Sequence, residues 1–405
     1  MMLKKKGVLL VVIVAVVLAI IILVGGCTPK TSSAVDVTVW YSFLPEEERI
    51  AQEAIATSFK QKHPNITIDF LNIVDLRTRA LVAIPAGRGP DCFTWSHDWT
   101  GEFAAAGHLW PLTEFVSPEL IAKFTPEAIE ACTYDDKIFA LPYASETYAL
   151  IYNKAMIKTP PETMEELVDM MEKAKAEGIP YGIGYPTETG CVSPWIHAFG
   201  GWVLDDETGA IGLNSEGTIN GLRYWIETFK PYMPIDLTRT VQTSVFLENK
   251  APFLVDGPWV IPAIKGAGID FGVVPLPKIT ELDKWPEPYA GFKVLWLTSA
   301  AEEKEKAFTF MEWFCTDQDF ILERAEIAKF VPVLKETLAL EAVKADPAIS
   351  GFAEAVKLGR PYPKRPEMGL FWSPCDEAIT QAFLEPDRLE EYLNEAQAEI
   401  EAKIE

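Results

Sequence analysis

Hydrophobic and polar positions along this chain follow two alternating rhythms after an unbroken apolar opening. Lys4, Lys5 and Lys6 precede the apolar run Val8–Val24, which ends in Gly25-Gly26-Cys27. A basic head, an apolar middle and small residues before a processing point are the parts of a secretory signal. The run sits at the short end of what spans a bilayer. Residues 1–26 are therefore expected to be a signal peptide or a retained membrane anchor, and the Thr- and Ser-containing residues 27–35 a flexible tether. Beyond them, β-branched and aromatic strand patterns at 37–41, 66–70 and 92–95 alternate with helix-spaced segments at 46–61 and 75–86. This β-α-β-α-β order predicts a parallel sheet covered by helices, with ligands meeting the loops at the carboxyl ends of its strands.

Further along, 138–153 is strand-like and expected to break at Pro142. Helical spacing returns at 164–177, 193–201 and 218–228, with strands near 181–185 and 250–256. The segment 289–298 reads as a long strand, and from Glu302 onward the chain is mostly helical, with breaks expected at 345–351 and 361–366. Two long strands that cross between bodies imply an α/β chain of two discontinuous lobes joined by a strand hinge. The expected lobes are residues 36–143 plus 295–342, and residues 144–294 plus 343–405 with a helical C-terminal tail. Such a layout opens and closes around a ligand.

Composition narrows the partners. The chain has 36 basic and 59 acidic residues, a net charge of −23, which excludes a nucleic-acid binder because phosphate contacts need Lys and Arg. Six cysteines contain no Cys-x-x-Cys pair and four histidines lie far apart, so no metal or cofactor site is expected. One disulfide outside the cell stays open, with its partners unassigned. Twelve tryptophans exceed what most cores of this size use.

Three segments carry a resemblance: Gly89–Asp98 (GPDCFTWSHD), Ala140–Lys154 (ALPYASETYALIYNK) and Asp256–Trp259 (DGPW), with Phe371-Trp372 late in the chain. In this order and spacing, across residues 36–405, the chain resembles the maltose/maltodextrin-binding proteins of ABC sugar importers. The resemblance implies the two-lobed periplasmic-binding-protein fold, hinge closure on an oligosaccharide such as a maltodextrin or related α-glucoside, and delivery to permease subunits and their ATPase. It implies a monomeric binder, not an enzyme, on the outer face of the cell membrane. Val24–Cys27 resembles a lipobox, which makes Cys27 the expected lipid attachment.

Carried over residue by residue, the resemblance implies Trp95, Asp98, Glu146, Trp259 and Trp372 as sugar-binding positions, with Glu188 as the carboxylate of the middle loop. Trp99 stands where the family has Arg and adds an aromatic. Carboxylates accept from adjacent sugar hydroxyls and aromatic faces cover C–H patches, which is the chemistry these types supply. Other positions depart: the family's Asp-Lys pair falls at Leu44-Pro45, one of its Tyr positions at Gly190, and its late Tyr and Arg at Ser373 and Asp376. Plainer roles compete: Trp259 as core, Asp98 as a helix cap, Glu146 as an ion-pair partner near the hinge. Trp195 and Trp202 are expected in the core, and Asp135-Asp136 and Asp205-Asp206 in solvated turns. A glycoside hydrolase built on Asp98 and Glu146 is one alternative function, and a sugar sensor or adhesion protein using the same lobes is another.

Overall fold

The structure, a computed structural model, describes residues 35–404. The expected leader, the tether up to Ala34 and the lipid site Cys27 lie outside the described residues. Among the described residues no helix is long and apolar enough to cross a membrane.

The described residues form thirteen strands, in chain order β1 (Val37–Tyr41), β2 (Ile68–Asn72), β3 (Cys92–Ser96), β4 (Thr133–Tyr134), β5 (Lys137–Ile138), β6 (Ala140–Thr147), β7 (Ala149–Asn153), β8 (Ile183–Gly184), β9 (Phe253–Asp256), β10 (Phe271–Val274), β11 (Tyr289–Leu297), β12 (Val331–Pro332) and β13 (Arg360–Pro361). The larger sheet has the order β12-β6-β11-β3-β1-β2, with β13 paired to β11. The smaller has the order β10-β7-β9-β8. The expected parallel pattern holds for β1 with β2 and β3. It does not extend to β6 and β11, which lie antiparallel to each other at the centre of the larger sheet. Both long strands arrive from distant segments, so no short β-α-β crossover dictates their direction.

Pro142 does not break the strand. It sits within β6 opposite Val294, where the register with β11 shifts, and such a bulge accommodates the missing N–H. The interruption falls at Tyr148, where the chain leaves the larger sheet as β6 and joins the smaller as β7. The break expected at 345–351 is shorter than expected: it falls at Ala345 and Asp346, where Asp346 caps a helix that starts at Pro347 and runs to Leu358. Proline at the first helical position starts helices rather than stopping them.

Each sheet has its own apolar core. One is drawn from 37–144 and 292–334, and the other runs from Tyr148 to Ile400. A third, smaller cluster joins β7, β9 and the helix Pro347–Leu358. Trp195 is fully buried, as expected. Trp202 is not core; it remains 36% exposed, folded over Gly212 with its indole N–H donating to the Ala210 carbonyl. The five described cysteines are free and buried.

The larger body encloses an ion pair between a helix and the sheet's first connection. Arg324 and Glu47 meet at 3.0 Å with side chains 4% and 8% exposed. The guanidinium lies 4.3 Å from the Tyr143 ring centroid and within 6 Å of four phenylalanine rings, the stacking that a planar, weakly hydrated cation favours. Removing one partner of a buried pair costs about 3–5 kcal/mol because the other charge is stranded. Arg324→Ala is expected to lower urea-unfolding stability by about that amount; a loss below about 1 kcal/mol would mean that the pair is solvated.

Candidate functional site

Carboxyl ends of strands from both sheets face one another across a cleft of about 650 Å³, within the range of small-molecule sites. All seven residues expected to bind ligand line it: Trp95, Asp98, Trp99, Glu146, Glu188, Trp259 and Trp372.

From the larger sheet, β3 delivers Trp95 and runs into the short turn His97–Trp99. Trp99 stacks on Trp95 at 5.3 Å and on Trp296 at 6.3 Å. With 8% of its surface exposed, Trp99 chiefly backs Trp95. His97, beneath the turn, is buried and accepts from the Phe292 N–H through Nδ1; burial lowers its pKa to about 3, so it stays neutral. Glu146 comes from β6. Its Oε1 pairs at 3.2 Å with Lys293 Nζ from β11, with side chains 7% and 13% exposed. Lys293 also lies 4.5 Å from the Trp95 ring centroid.

Asp98 is not a side-chain helix cap, since the helix Thr100–Ala105 that follows has no side-chain cap bond. It is 5% exposed, and burial pushes its pKa up to about 7, with the Glu146 charge adding to that rise. Lys293 and a hydrogen bond from Trp372 act in the opposite direction. Burial likewise raises Glu146 above the ordinary carboxylate range, against the pull of Lys293.

The smaller sheet supplies Glu188 and Trp259. Arg239, at the start of the helix Arg239–Leu247, binds both Glu188 oxygens at 2.9 and 2.6 Å and reaches Asp256 at 2.5 Å. Part of the accepting capacity of Glu188 is thus already taken. Arg239 also stands 5.8 Å from the Trp259 ring centroid, while Tyr148 meets that ring edge-on at 5.5 Å. Trp259 packs against all three apolar clusters, so its core and cleft roles coexist. Trp372 opens the helix Trp372–Leu384 and meets Tyr362 edge-on at 5.7 Å.

Sequence reasoning missed Lys293, Arg239, Tyr148, Tyr362, Arg77 and Glu47, all of which line the cleft. Lys293 carried a readable signal, a lone charge inside the apolar stretch Tyr289–Leu297. Arg239 lies in a polar connection and Glu47 in a run of three glutamates, where no local pattern marks them. The departure at Gly190 gains a reason: a β-carbon there would stand 2.6 Å from the Tyr148 hydroxyl.

These features define a two-lobed α/β fold with a cleft lined from both sheets. The family model for bacterial extracellular solute-binding protein matches residues 54–351, and the chain belongs to that family. It is 40% identical to a maltotriose-binding protein of Pyrococcus abyssi, over 90% of this chain and 81% of that protein. It is 28% identical to a galactooligosaccharide-binding protein of Bacillus subtilis, over 88% of each. The structure of Thermus thermophilus maltotriose binding protein bound with maltotriose superposes with a TM-score of 0.82 at 26% identity, covering 91% of this chain and all of that one. These relatives and this structural neighbour are binding proteins, not enzymes.

The raised Asp98 pKa makes a measurable claim. A carboxyl with a higher pKa folded than unfolded, where it is about 3.9, stabilises the fold below the unfolded value and loses that contribution as pH rises through about 7. Ligand-free Asp98→Asn, which carries no charge to bury, is expected to melt above the parent at pH 8. The gap should narrow steadily toward pH 4. Scanning calorimetry showing a gap that ignores pH would place the Asp98 charge in solvent.

Proposed function

We propose that the chain captures a maltodextrin or related α-glucoside outside the cell and hands it to an ABC importer. The observation that carries this is the convergence of Trp95, Trp259 and Trp372 with Asp98, Glu146 and Glu188 on one cleft between two sheets. Stacking surfaces cover the C–H faces of a sugar while carboxyl oxygens take its hydroxyls. Similarity to the Pyrococcus abyssi maltotriose-binding protein supports the same ligand class.

Residues 36–143 plus 295–342 form one lobe in this reading, and 144–294 plus 343–405 the other. The hinge runs through the turn from β6 to β7 and the entry to β11. Ligand favours closure only by binding the closed form more tightly than the open one, which aromatic surfaces from both lobes provide. Cys27 carries a lipid that tethers the monomer to the outer face of the membrane, and the closed lobes together dock on the permease. The leader resembles a lipobox, and the tether's composition suits a mobile binder.

Calorimetry across maltose, maltotriose, trehalose and a galactooligosaccharide tests the assignment. Micromolar or tighter binding of at least one α-glucoside is expected, and silence from all three would overturn it. Trp259→Ala should weaken that binding by more than about 1 kcal/mol, as buried aromatic anchors do. A change under about 0.5 kcal/mol would remove the ring from the contact surface.

A further inference from the structure

The floor of the cleft holds polar groups that the contacts above do not use. Ser96 Oγ and Glu146 Oε2 are both buried, and neither makes a hydrogen bond within the protein. Their residues are each 6% exposed. The Ser96 hydroxyl is near enough to favour the Glu146 carboxylate, yet no aligned bond joins the two. Buried polar atoms without partners are few in native proteins and costly to keep.

Both atoms face the same point of the sheet. Gly291 pairs in register with Glu146, and Lys293, two residues along β11, with Ser96. A β-carbon on Gly291 would stand 2.9 Å from Ser96 Oγ, 3.0 Å from the Tyr362 ring and 3.1 Å from Glu146 Cγ. Gly291 is absent from the glycines with positive φ, so backbone conformation does not require it. A glycine inside a strand weakens the strand and marks close approach by another group. Here the space it leaves lies between the unpartnered Ser96 hydroxyl, the stem of the Glu146 side chain and an aromatic ring.

We propose that Gly291, Ser96 and Lys293 build a pocket for one hydroxyl of the bound sugar, a selector of which ring and which hydroxyl the floor accepts. The hydroxyl donates to Glu146 Oε2 and accepts from Ser96 Oγ or from a free N–H of Lys293. Lys293 holds the other oxygen of Glu146 and so aims the carboxylate. Tyr362 closes the side, and Gly291 sets the size. A ring with that hydroxyl missing or inverted leaves the same polar atoms buried and unpaired, which is how such sites reject analogues. The inference rests on the sugar-binding reading above.

The test is titration calorimetry of the full exported domain, parent, Gly291→Ala and Ser96→Ala, with maltotriose and its monodeoxy analogues. One monodeoxy compound should bind the parent at least tenfold more weakly than maltotriose does. Gly291→Ala should lose at least tenfold for maltotriose, and both variants should discriminate less against that compound. Gly291→Ala binding maltotriose within twofold of the parent would overturn the pocket, as would variants that keep the parent's full discrimination. Melting curves report whether Gly291→Ala folds. If it does not, Ser96→Ala decides alone, because it removes an atom instead of adding one. A parent silent toward every α-glucoside would sink the sugar reading itself, whereas a parent that binds and variants that match it would sink only the pocket.

Discussion

The contact between Lys293 and Glu146 is the constraint around which the cleft is arranged. Two opposite charges on the central strands of a sheet, nearly removed from water, cost desolvation that only close pairing offsets. Their separation is set by the pairing of β6 with β11, which the register shift at Pro142 adjusts one step from the pair. The same ammonium faces Trp95 and lowers the Asp98 and Glu146 pKa values against burial. A slip of β6 by one residue against β11 would turn Glu146 to the other face of the sheet, away from Lys293. The geometry of the floor is therefore a property of strand pairing as much as of side chains.

The two lobes are joined by more than the strands of the hinge. Residues 360–371 run from β13, on the larger sheet, into the core of the smaller body through Met368 and Phe371. On the way the Lys364 ammonium binds the Glu130 and Thr133 carbonyls, and its N–H donates to Asp206. The Lys364 carbonyl lies where a β-carbon on Gly101 would be, 1.6 Å from it. Only glycine at 101 permits that approach. The strap then delivers Tyr362 and Trp372 to the cleft, so a displacement of one lobe against the other would reach two cleft-lining rings through a segment fixed at both ends. Coupling of this kind lets a small change in lobe angle act on the contact surface, because packed segments move as units.

Much of the fold was legible because its signals are local. Alternation located β1, β2, β3 and β11 within a residue or two, and helical spacing located most helices. The antiparallel centre of the larger sheet was not legible, since strand direction there is decided by partners more than a hundred residues away in sequence. Pro142 was misjudged for a related reason. Whether proline breaks an element depends on the hydrogen bond it would have donated, and at the register shift none was needed. In the cleft, the tryptophans and carboxylates were reached through the family resemblance. Arg239 escaped notice because its role arises from the spatial meeting of Glu188, Asp256 and Trp259, which no sequence window contains.

The departures from the family pattern take on a different meaning in three dimensions. Read along the chain, the lysine of the first loop is lost at Pro45, and tyrosines are lost at Gly190 and Ser373. Around the cleft, the same residue types are present from other segments: Lys293 from β11, Tyr148 from the β6–β7 turn and Tyr362 from the strap. The exchange is not neutral. A lysine on a loop is a mobile, hydrated charge, whereas Lys293 is buried and tied to Glu146. Tyr148 lies against Gly190, and Tyr362 stacks on Tyr289 at 4.6 Å. Groups that a loop would present with rotamer freedom are here held by sheet and ring contacts, so less entropy is lost when a ligand orders them. The donor and acceptor chemistry is retained while its positions are pre-set by the fold.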